Sequence, residues 1–456
     1  MMNIDELKNI VFENGIVGAG GAGFPTHAKL TTGIDTIILN GAECEPLLRV
    51  DRQLLAIYTD EILMTLSFIV DTLGAKRGIV AIKSAYKTAI SSVKNLIGNY
   101  KNLELKVLPD VYPAGDEVVL IYETTGRIVP EGSIPISVGT LVMNVETVLN
   151  VYNAIYLKHP VTEKYVTVTG DVKYPSTFKA KVGTSVARLI EKAGGCLEKD
   201  CEVIMGGPMT GKIVDVKTPI TKTTKAIIVL PKDHPVITKR KTNIRIGLKR
   251  AMSVCSQCQM CTDLCPRNLL GHSIKPHKVM NAVANSIIDD TAAYTMTMLC
   301  SECGLCEMYS CHQSLSPRKI ISQIKIKLRQ NGVKNPHNKR PETANVMRDE
   351  RLVPMERLIS RLSLKKYDVD APMNFDTVIP SHHVVMQLSQ HVGAKAIPVV
   401  KVGDIVKEGD LIGDVPNNKL GAKLHASIDG IIIDVTDDSI VIKPRGDFDG
   451  QSDRIG

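Results

Sequence analysis

Eight of the chain's eleven cysteines fall into two runs, Cys255-x2-Cys258-x2-Cys261-x3-Cys265-Pro266 and Cys300-x2-Cys303-x2-Cys306-x4-Cys311. Four thiolates are what one 4Fe–4S cube needs, and the first run has the two-cluster bacterial spacing with its closing Cys-Pro. The x2 steps let one turning loop aim three sulfurs at three irons. In that pattern the fourth sulfur crosses over, so Cys265 is expected on the second cube and Cys311 on the first. Paired CxxC knuckles also hold zinc, but zinc has no use for a third cysteine at an x2 step or for the trailing proline. Disulfides fit less well: nothing at the N-terminus reads as a signal peptide, and a chain of 456 residues needs no staples. His312 follows Cys311 where the pattern has proline, which loosens that turn. Cys44, Cys196 and Cys201 read as small buried residues.

A second chemical signal lies near the N-terminus, in Gly18-Ala-Gly-Gly-Ala-Gly-Phe-Pro-Thr26. Gly18, Gly20 and Gly23 have dinucleotide-fold spacing, but a Rossmann loop must leave a strand and enter a helix. Here a helical pattern comes first. What the loop offers is backbone amides that approach a phosphate or a flat ring without Cβ obstruction. Pro25 is expected to start a helix whose N-terminal amides, with Lys29, favour an anion. A glycine hinge without ligand is the competing reading.

These residues need elements to hold them. Length favours several domains. Residues 1–160 alternate helical patterns (Ile4 to Phe12, Ser84 to Ile97) with strand-like runs (Thr36 to Leu39, Gly78 to Ile82, Leu103 to Leu108), as in a layered α/β domain. Residues 161–235 place a helical stretch, Val186 to Ala193, between strands at Tyr165 to Gly170 and Ala226 to Leu230, a small α+β module. The cysteine region, 236–330, is expected to be helical around its loops. Residues 331–370 are polar and basic and read as a linker or loose helix. From 371 to 456 short strands alternate with Gly-Asp and Asp-Gly turns.

Net charge is +8, concentrated in Lys239 to Arg250 and Lys334 to Arg351. Nucleic acid would use such runs, yet the chain has no Trp, only six Phe and no aromatic interleaving there. A solvated face or a dock for an acidic partner is the better reading. No apolar run approaches the roughly 18 residues of a membrane span.

Gly20-Gly-Ala-Gly-Phe-Pro-Thr26 resembles the FMN loop shared by the flavin subunit of respiratory complex I and the RnfC-like electron-transfer flavoproteins. Asn40-Gly-Ala-Glu-Cys-Glu-Pro46, Tyr112-Pro-Ala-Gly-Asp-Glu117, Asn144-Val-Glu-Thr147, Val168-Thr-Gly-Asp171, Met205-Gly-Gly-Pro-Met209 and Thr221-Lys-Thr-Thr224 resemble the same family in order. Val402 to Leu411 and Ile428 to Val435 resemble the halves of a barrel-sandwich of biotinyl/lipoyl type, with Lys419 near the position that fold modifies. Its neighbours, Asn417-Asn-Lys-Leu-Gly421, match neither modification motif. RnfC proteins carry this barrel first, whereas here it comes last. That order, with Leu264 to His272, Lys275 to Met280, Cys306 to Cys311 and Leu315 to Arg318, resembles the PduS-type corrinoid reductases of propanediol-utilisation microcompartments.

The resemblance implies a multidomain α/β and α+β protein. Its parts would be a complex I flavin-subunit-like FMN domain, a β-grasp (SLBB) module, a helical 4Fe–4S dicluster domain and a C-terminal barrel-sandwich hybrid. Gly20, Gly21, Gly23 and Lys29 would hold FMN phosphate and ring. Asn40, Glu43, Gly115, Glu117, Asn144 and Thr147 would line the pocket, with Glu117 touching NADH. Alone, the acidic residues read equally as surface carboxylates. All eight clustered cysteines would ligate two cubes. NADH would be the donor and a corrinoid, free or on a partner protein, the acceptor, in a cytoplasmic protein enclosed in a microcompartment with shell or enzyme partners, serving a B12-dependent diol dehydratase. The competing assignments are a peripheral RnfC-type subunit of a membrane ferredoxin:NAD oxidoreductase and, outside redox chemistry, an iron–sulfur scaffold or nucleic-acid binder.

Overall fold

The computed structural model describes residues 2–380 and 382–445. Helix α1 (Ile4–Glu13) starts at a capping box in which Asn3 and Glu6 bond each other's backbone amides. The glycine loop then leads into a single turn, α2 (Thr26–Lys29). The sheet of the first domain contains β1 (Thr36–Gly41), β2 (Arg77–Lys83), β3 (Leu103–Leu108) and, after the outlying β4 (Val111–Tyr112), β5 (Thr140–Asn144). These strands are parallel, in the order β3-β2-β1-β5. Ile37 to Leu39 and Ile79 to Ile82 are buried on both faces, as continuous apolar runs in a parallel sheet must be. Helices α3 (Val50–Ile57), α4 (Thr59–Leu73) and α5 (Lys87–Leu96) cover one face, α6 (Glu117–Thr125) the other, and α7 (Val145–Tyr152) returns to the first.

This strand order fixes the site. The sheet grows from β1 through β2 to β3, then resumes on the other side of β1 with β5. Ligands of open parallel sheets bind in the crevice outside the carboxyl ends at such a reversal. Asn40 and Asn144 are register partners at that edge.

The second module pairs β6 (Glu163–Gly170) with β7 (Ser176–Lys181), crosses through α8 (Val186–Lys192) and adds β8 (Cys201–Met205), β9 (Lys212–Val214) and β10 (Ala226–Pro231). The cysteine region is helical, with α9 (Pro235–Lys241), α10 (Ile244–Val254), α11 (Met260–Asp263) and α12 (Pro266–Leu269) around the first run. Around the second lie α13 (Pro276–Ala284), α14 (Thr291–Thr295), α15 (Leu305–Met308) and α16 (Pro317–Gln330).

The stretch expected as a linker is partly core. Within 331–370, β11 (Val353–Pro354) pairs with β4, and α17 (Met355–Arg361) packs Leu358 and Ile359 with Tyr112, Met209 and Leu305. Basic composition masks the helical spacing of Leu358, Ile359 and Leu362. The division at 371 also needs correction, because β12 (Met373–Val378) extends the β-grasp sheet beside β7, giving β12-β7-β6-β10-β8-β9.

The remaining strands are β13 (Val384–Gln387), β14 (Ile397–Pro398), β15 (Ile405–Val406), β16 (Leu411–Asp414), β17 (Leu424–His425), β18 (Gly430–Val435) and β19 (Ser439–Pro444). They form two small sheets, β13-β19-β18-β15 and β14-β16-β17, around Val384, Ile412, Ile432 and Ile442. Lys419 is exposed on the turn after β16. Among the described residues no single helix is long and apolar enough to cross a membrane. The apolar pair α3 and α4 would pass together on length and composition, but it bends by 92° and buries Leu54, Leu55, Leu63 and Leu66 in the core.

Candidate functional site

The glycine loop lies over the reversal beside β1. Gly18 N–H donates to the Phe24 carbonyl at 2.9 Å, closing the loop, and Ala19 N–H donates to Thr147 Oγ1 at 2.9 Å. Thr147 thus anchors the loop from α7. No acceptor among the described residues takes the amides of Gly20, Gly21 or Gly23, and Gly20 and Gly21 are exposed. A Cβ on Gly20 would stand 2.7 Å from Asn144 Nδ2, whereas one on Gly21 would meet nothing within 4 Å. Bare amides beside an open approach fit a phosphate and a planar ring.

The pocket walls come from the strand ends. Asn40 Nδ2 donates to the Gly115 carbonyl at 2.9 Å, and a Gly115 Cβ would stand 3.0 Å from Cys44 Cβ. Lys29 and the half-exposed Glu117 form a 3.1 Å ion pair at the rim. Because α2 is only one turn long, Lys29 rather than a helix end supplies positive charge there. Glu43 is brought near but turned inward. Its carboxylate accepts from Asp51 N–H and from Arg52 Nε, both at 2.8 Å.

Beneath the loop runs a buried ionic scaffold that no sequence motif marks. Asn144 caps α7 through Glu146 N–H and donates to Asp51 Oδ2 at 2.9 Å. Asp51 pairs with Lys225, and Glu146 pairs with Lys164, whose Nζ also donates to the Ala19 carbonyl at 3.3 Å. Both lysines come from the β-grasp module, so that module holds the loop's floor. Burial, partly offset by Lys225, raises the Asp51 carboxyl above its usual range. Breaking one partner of a buried pair strands the other charge. Lys225→Met is therefore expected to lower urea-measured stability by roughly 3–5 kcal/mol.

The barrel closes the loop from the other side. Val392 N–H donates to the Gly23 carbonyl at 3.2 Å. Buried Lys222 donates from Nζ to the carbonyls of Gly15 and Lys423, each at 2.7 Å. Burial pushes this amine down to about 7, and a neutral amine still has a hydrogen for each carbonyl. In the unfolded chain it keeps its proton to about pH 10.4. The unfolded state therefore binds more protons between those values, and stability rises with pH across that window. Urea unfolding from pH 7 to 10 is expected to show that rise in the parent and a flatter profile in Lys222→Met.

The cysteines gather around two cavities. One is lined by Cys255, Cys258, Cys261 and Cys311, and the other by Cys265, Cys300, Cys303 and Cys306. The runs therefore exchange their last cysteines. Both loops wind through left-handed backbone at matching positions, Gln257 and Gln259 in the first, Glu302 and Gly304 in the second. Amide donors already face sulfur, with Glu302 N–H 3.3 Å from Cys300 Sγ and Leu315 N–H 3.4 Å from Cys311 Sγ. Among the described residues no set of three or more His, Cys, Asp or Glu closes around a single ion. Four sulfurs around a cavity fit a cube better than zinc. Burial pushes the Cys261 thiol up to about 12 and Cys265 to about 11, so ionisation is coupled to arrival of the metal.

The second cavity abuts the crevice wall. Tyr112 Oη donates to the Cys303 carbonyl at 2.6 Å, and Arg267, after Cys265, pairs at 3.0 Å with Asp116, the N-cap of α6. Pro113 to Gly115 joins these contacts to Asn40. Lys83, wholly buried at the end of β2 and 3.5 Å from Asp110, is a further charge at this edge. In the sequence it reads as an ordinary strand end.

The family model of the Nuo51 FMN-binding domain matches residues 11–153, the SLBB domain 165–212, the 4Fe-4S dicluster domain 254–316 and the RnfC barrel sandwich hybrid domain 365–445. Cobalamin reductase PduS of Citrobacter freundii is 42% identical, over 96% of this chain and 96% of its own. The PduS of Salmonella typhimurium is 40% identical over 97% of each. One component of the Na(+)-translocating ferredoxin:NAD(+) oxidoreductase complex of Acetobacterium woodii is 34% identical, over 61% of this chain and 62% of that one. An FMN domain and a dicluster domain on one chain make it a flavin and iron–sulfur oxidoreductase. At this identity, over nearly the whole of both chains, it belongs to the PduS cobalamin reductase family.

Proposed function

We propose that the chain takes electrons from NADH at the crevice beside β1 and β5 and delivers them singly to a corrinoid, reducing cob(III)alamin and cob(II)alamin. The observation that carries this reading is the contact of the crevice wall with one thiol cavity, through Tyr112 and Cys303, in a chain 42% identical to a cobalamin reductase. FMN accepts the hydride's electron pair and the cubes carry electrons one at a time. In this assignment Gly20, Gly21 and Gly23 offer amides to the FMN phosphate and ring, and Lys29 adds positive charge. Asn40, Gly115 and Asn144 bound the pocket, Thr147 fixes the loop, and Glu43 holds the wall through Arg52. Glu117, half-exposed at the rim, would bond the NADH ribose. Cys255, Cys258, Cys261 and Cys311 hold one cube, and Cys265, Cys300, Cys303 and Cys306 the other. As the resemblance implies, the reaction would serve a B12-dependent diol dehydratase within a bacterial microcompartment.

The test is anaerobic reconstitution with iron, sulfide and FMN, followed by NADH and aquocobalamin. Stoichiometric appearance of reduced corrin supports the assignment. Complete flavin bleaching with no electron reaching cobalt would refute the acceptor.

A further inference from the structure

The two thiol cavities face different surroundings. The second is packed against the flavin domain, and Cys265 is buried there. The first is walled by α10, α13 and the start of α16 and lined by no residue of the flavin domain, and Cys258 is exposed. An electron leaving the crevice meets the second cavity first, so the first cavity is the exit.

The exit is surrounded by an unusual surface. Met252, Val254 and Met260 are 58%, 43% and 39% exposed beside the Cys255–Cys261 loop. Residues 234–262 carry six Lys or Arg and no Asp or Glu, and residues 308–341 carry eight and none. Several of these bases are spent internally: Lys239 and Lys319 donate to backbone carbonyls and Lys325 pairs with Glu302. Arg245 and Lys249 are exposed on α10 and pair with no carboxylate among the described residues. Among the described residues, exposed Arg250 bonds only the Gln313 carbonyl. Residues 243–262 contain no aromatic side chain on which a nucleic-acid base could stack.

We propose that this face is the electron exit and docks a redox protein whose own centre is surrounded by carboxylates. The apolar patch excludes water over the exposed edge at Cys258, while Arg245, Lys249 and Arg250 select the partner's charge and steer its approach. The proposal rests on the reading of the chain as an NADH-driven reductase, and it adds the exit cavity and the surface charge of the protein that would hold the corrinoid or relay electrons to it.

The probe is flavodoxin, an acidic one-electron carrier, compared with menadione, a small neutral acceptor. With the holoprotein under anaerobic conditions, the rate constant for flavodoxin reduction is expected to fall steeply with salt. The Arg245→Glu/Lys249→Glu variant should lose on the order of 10–1,000-fold of that rate at low salt, and most of its salt dependence. Menadione reduction should change by less than about twofold, since no steering is involved. Affinity for oxidised flavodoxin, which needs no turnover, should fall with the rate. An unchanged flavodoxin rate and affinity in the variant would overturn the proposal. So would salt-sensitive binding of single-stranded RNA that the variant abolishes while flavodoxin is untouched. Failure of the parent to reduce menadione would instead count against the reductase reading, and the affinity measurement would still decide the face.

Discussion

In anaerobic Cys303→Ala protein, NADH is expected to bleach the flavin while transfer to an external one-electron acceptor falls by at least about 100-fold, the upper end of what losing even a ligand's hydrogen-bond partner costs a metal site. The reason is placement. Cys303 lines the cavity that touches the crevice wall, and its carbonyl accepts from Tyr112 at 2.6 Å. Removing a thiolate there interrupts the path at its first step, while the glycine loop and its anchors are untouched. Cys258→Ala should behave differently. Its cavity is the far one, so NADH should still reduce the centre held by Cys265, Cys300, Cys303 and Cys306, and only the onward step should fail. Iron analysis of each variant, with low-temperature EPR after NADH, separates the two cases. If Cys303→Ala reduced the acceptor at the parental rate, the order of the cavities in the path would be wrong.

Two substitutions in the glycine loop should divide flavin binding from folding. Gly21→Val places its Cβ where no atom of the fold beyond the chain neighbours lies within 4 Å. Unfolding of the flavin-free protein should therefore be unchanged, and any loss of FMN must come from the ligand itself meeting the new methyl groups. Overfilling a fitted site costs roughly 1–3 kcal/mol, about fivefold to 150-fold in the dissociation constant. Gly20→Val brings Cβ to 2.7 Å from Asn144 Nδ2. Asn144 caps α7 and bonds Asp51, which is paired with Lys225, so this change should weaken both FMN binding and the fold. Equilibrium dialysis with FMN fluorescence, alongside urea unfolding, reads both quantities. Full retention of FMN by Gly21→Val would mean that the ligand does not approach this turn.

Both cysteine runs are legible as spacing alone, and the exchange of Cys265 and Cys311 follows from the pattern. The strands at Thr36, Gly78 and Leu103 are legible because a parallel sheet buries both faces and leaves unbroken apolar runs. The barrel's short strands announce themselves through Gly-Asp and Asp-Gly turns. Less visible are features that depend on distant partners. Lys164, Lys225 and Lys222 look like ordinary strand-flanking cations, and only the packed module shows them beneath the glycine loop. Met355 to Arg361 is hidden in a basic stretch, since charge on its exposed side outweighs three apolar residues. Strand β12 pairs across a long gap in sequence, and no local signal reports that. Glu43 shows the converse limit. A carboxylate in a binding motif can serve the wall from behind, through Arg52, as well as the ligand from the front.

A flavin and a pair of cubes on one chain form a single electron path. The most direct test is chemical analysis of anaerobically purified protein for iron, acid-labile sulfide, zinc and FMN. The expected result is equal iron and sulfide, enough for two cubes, with one FMN per chain and no zinc. Zinc in place of iron and sulfide, or cubes without flavin, would contradict it.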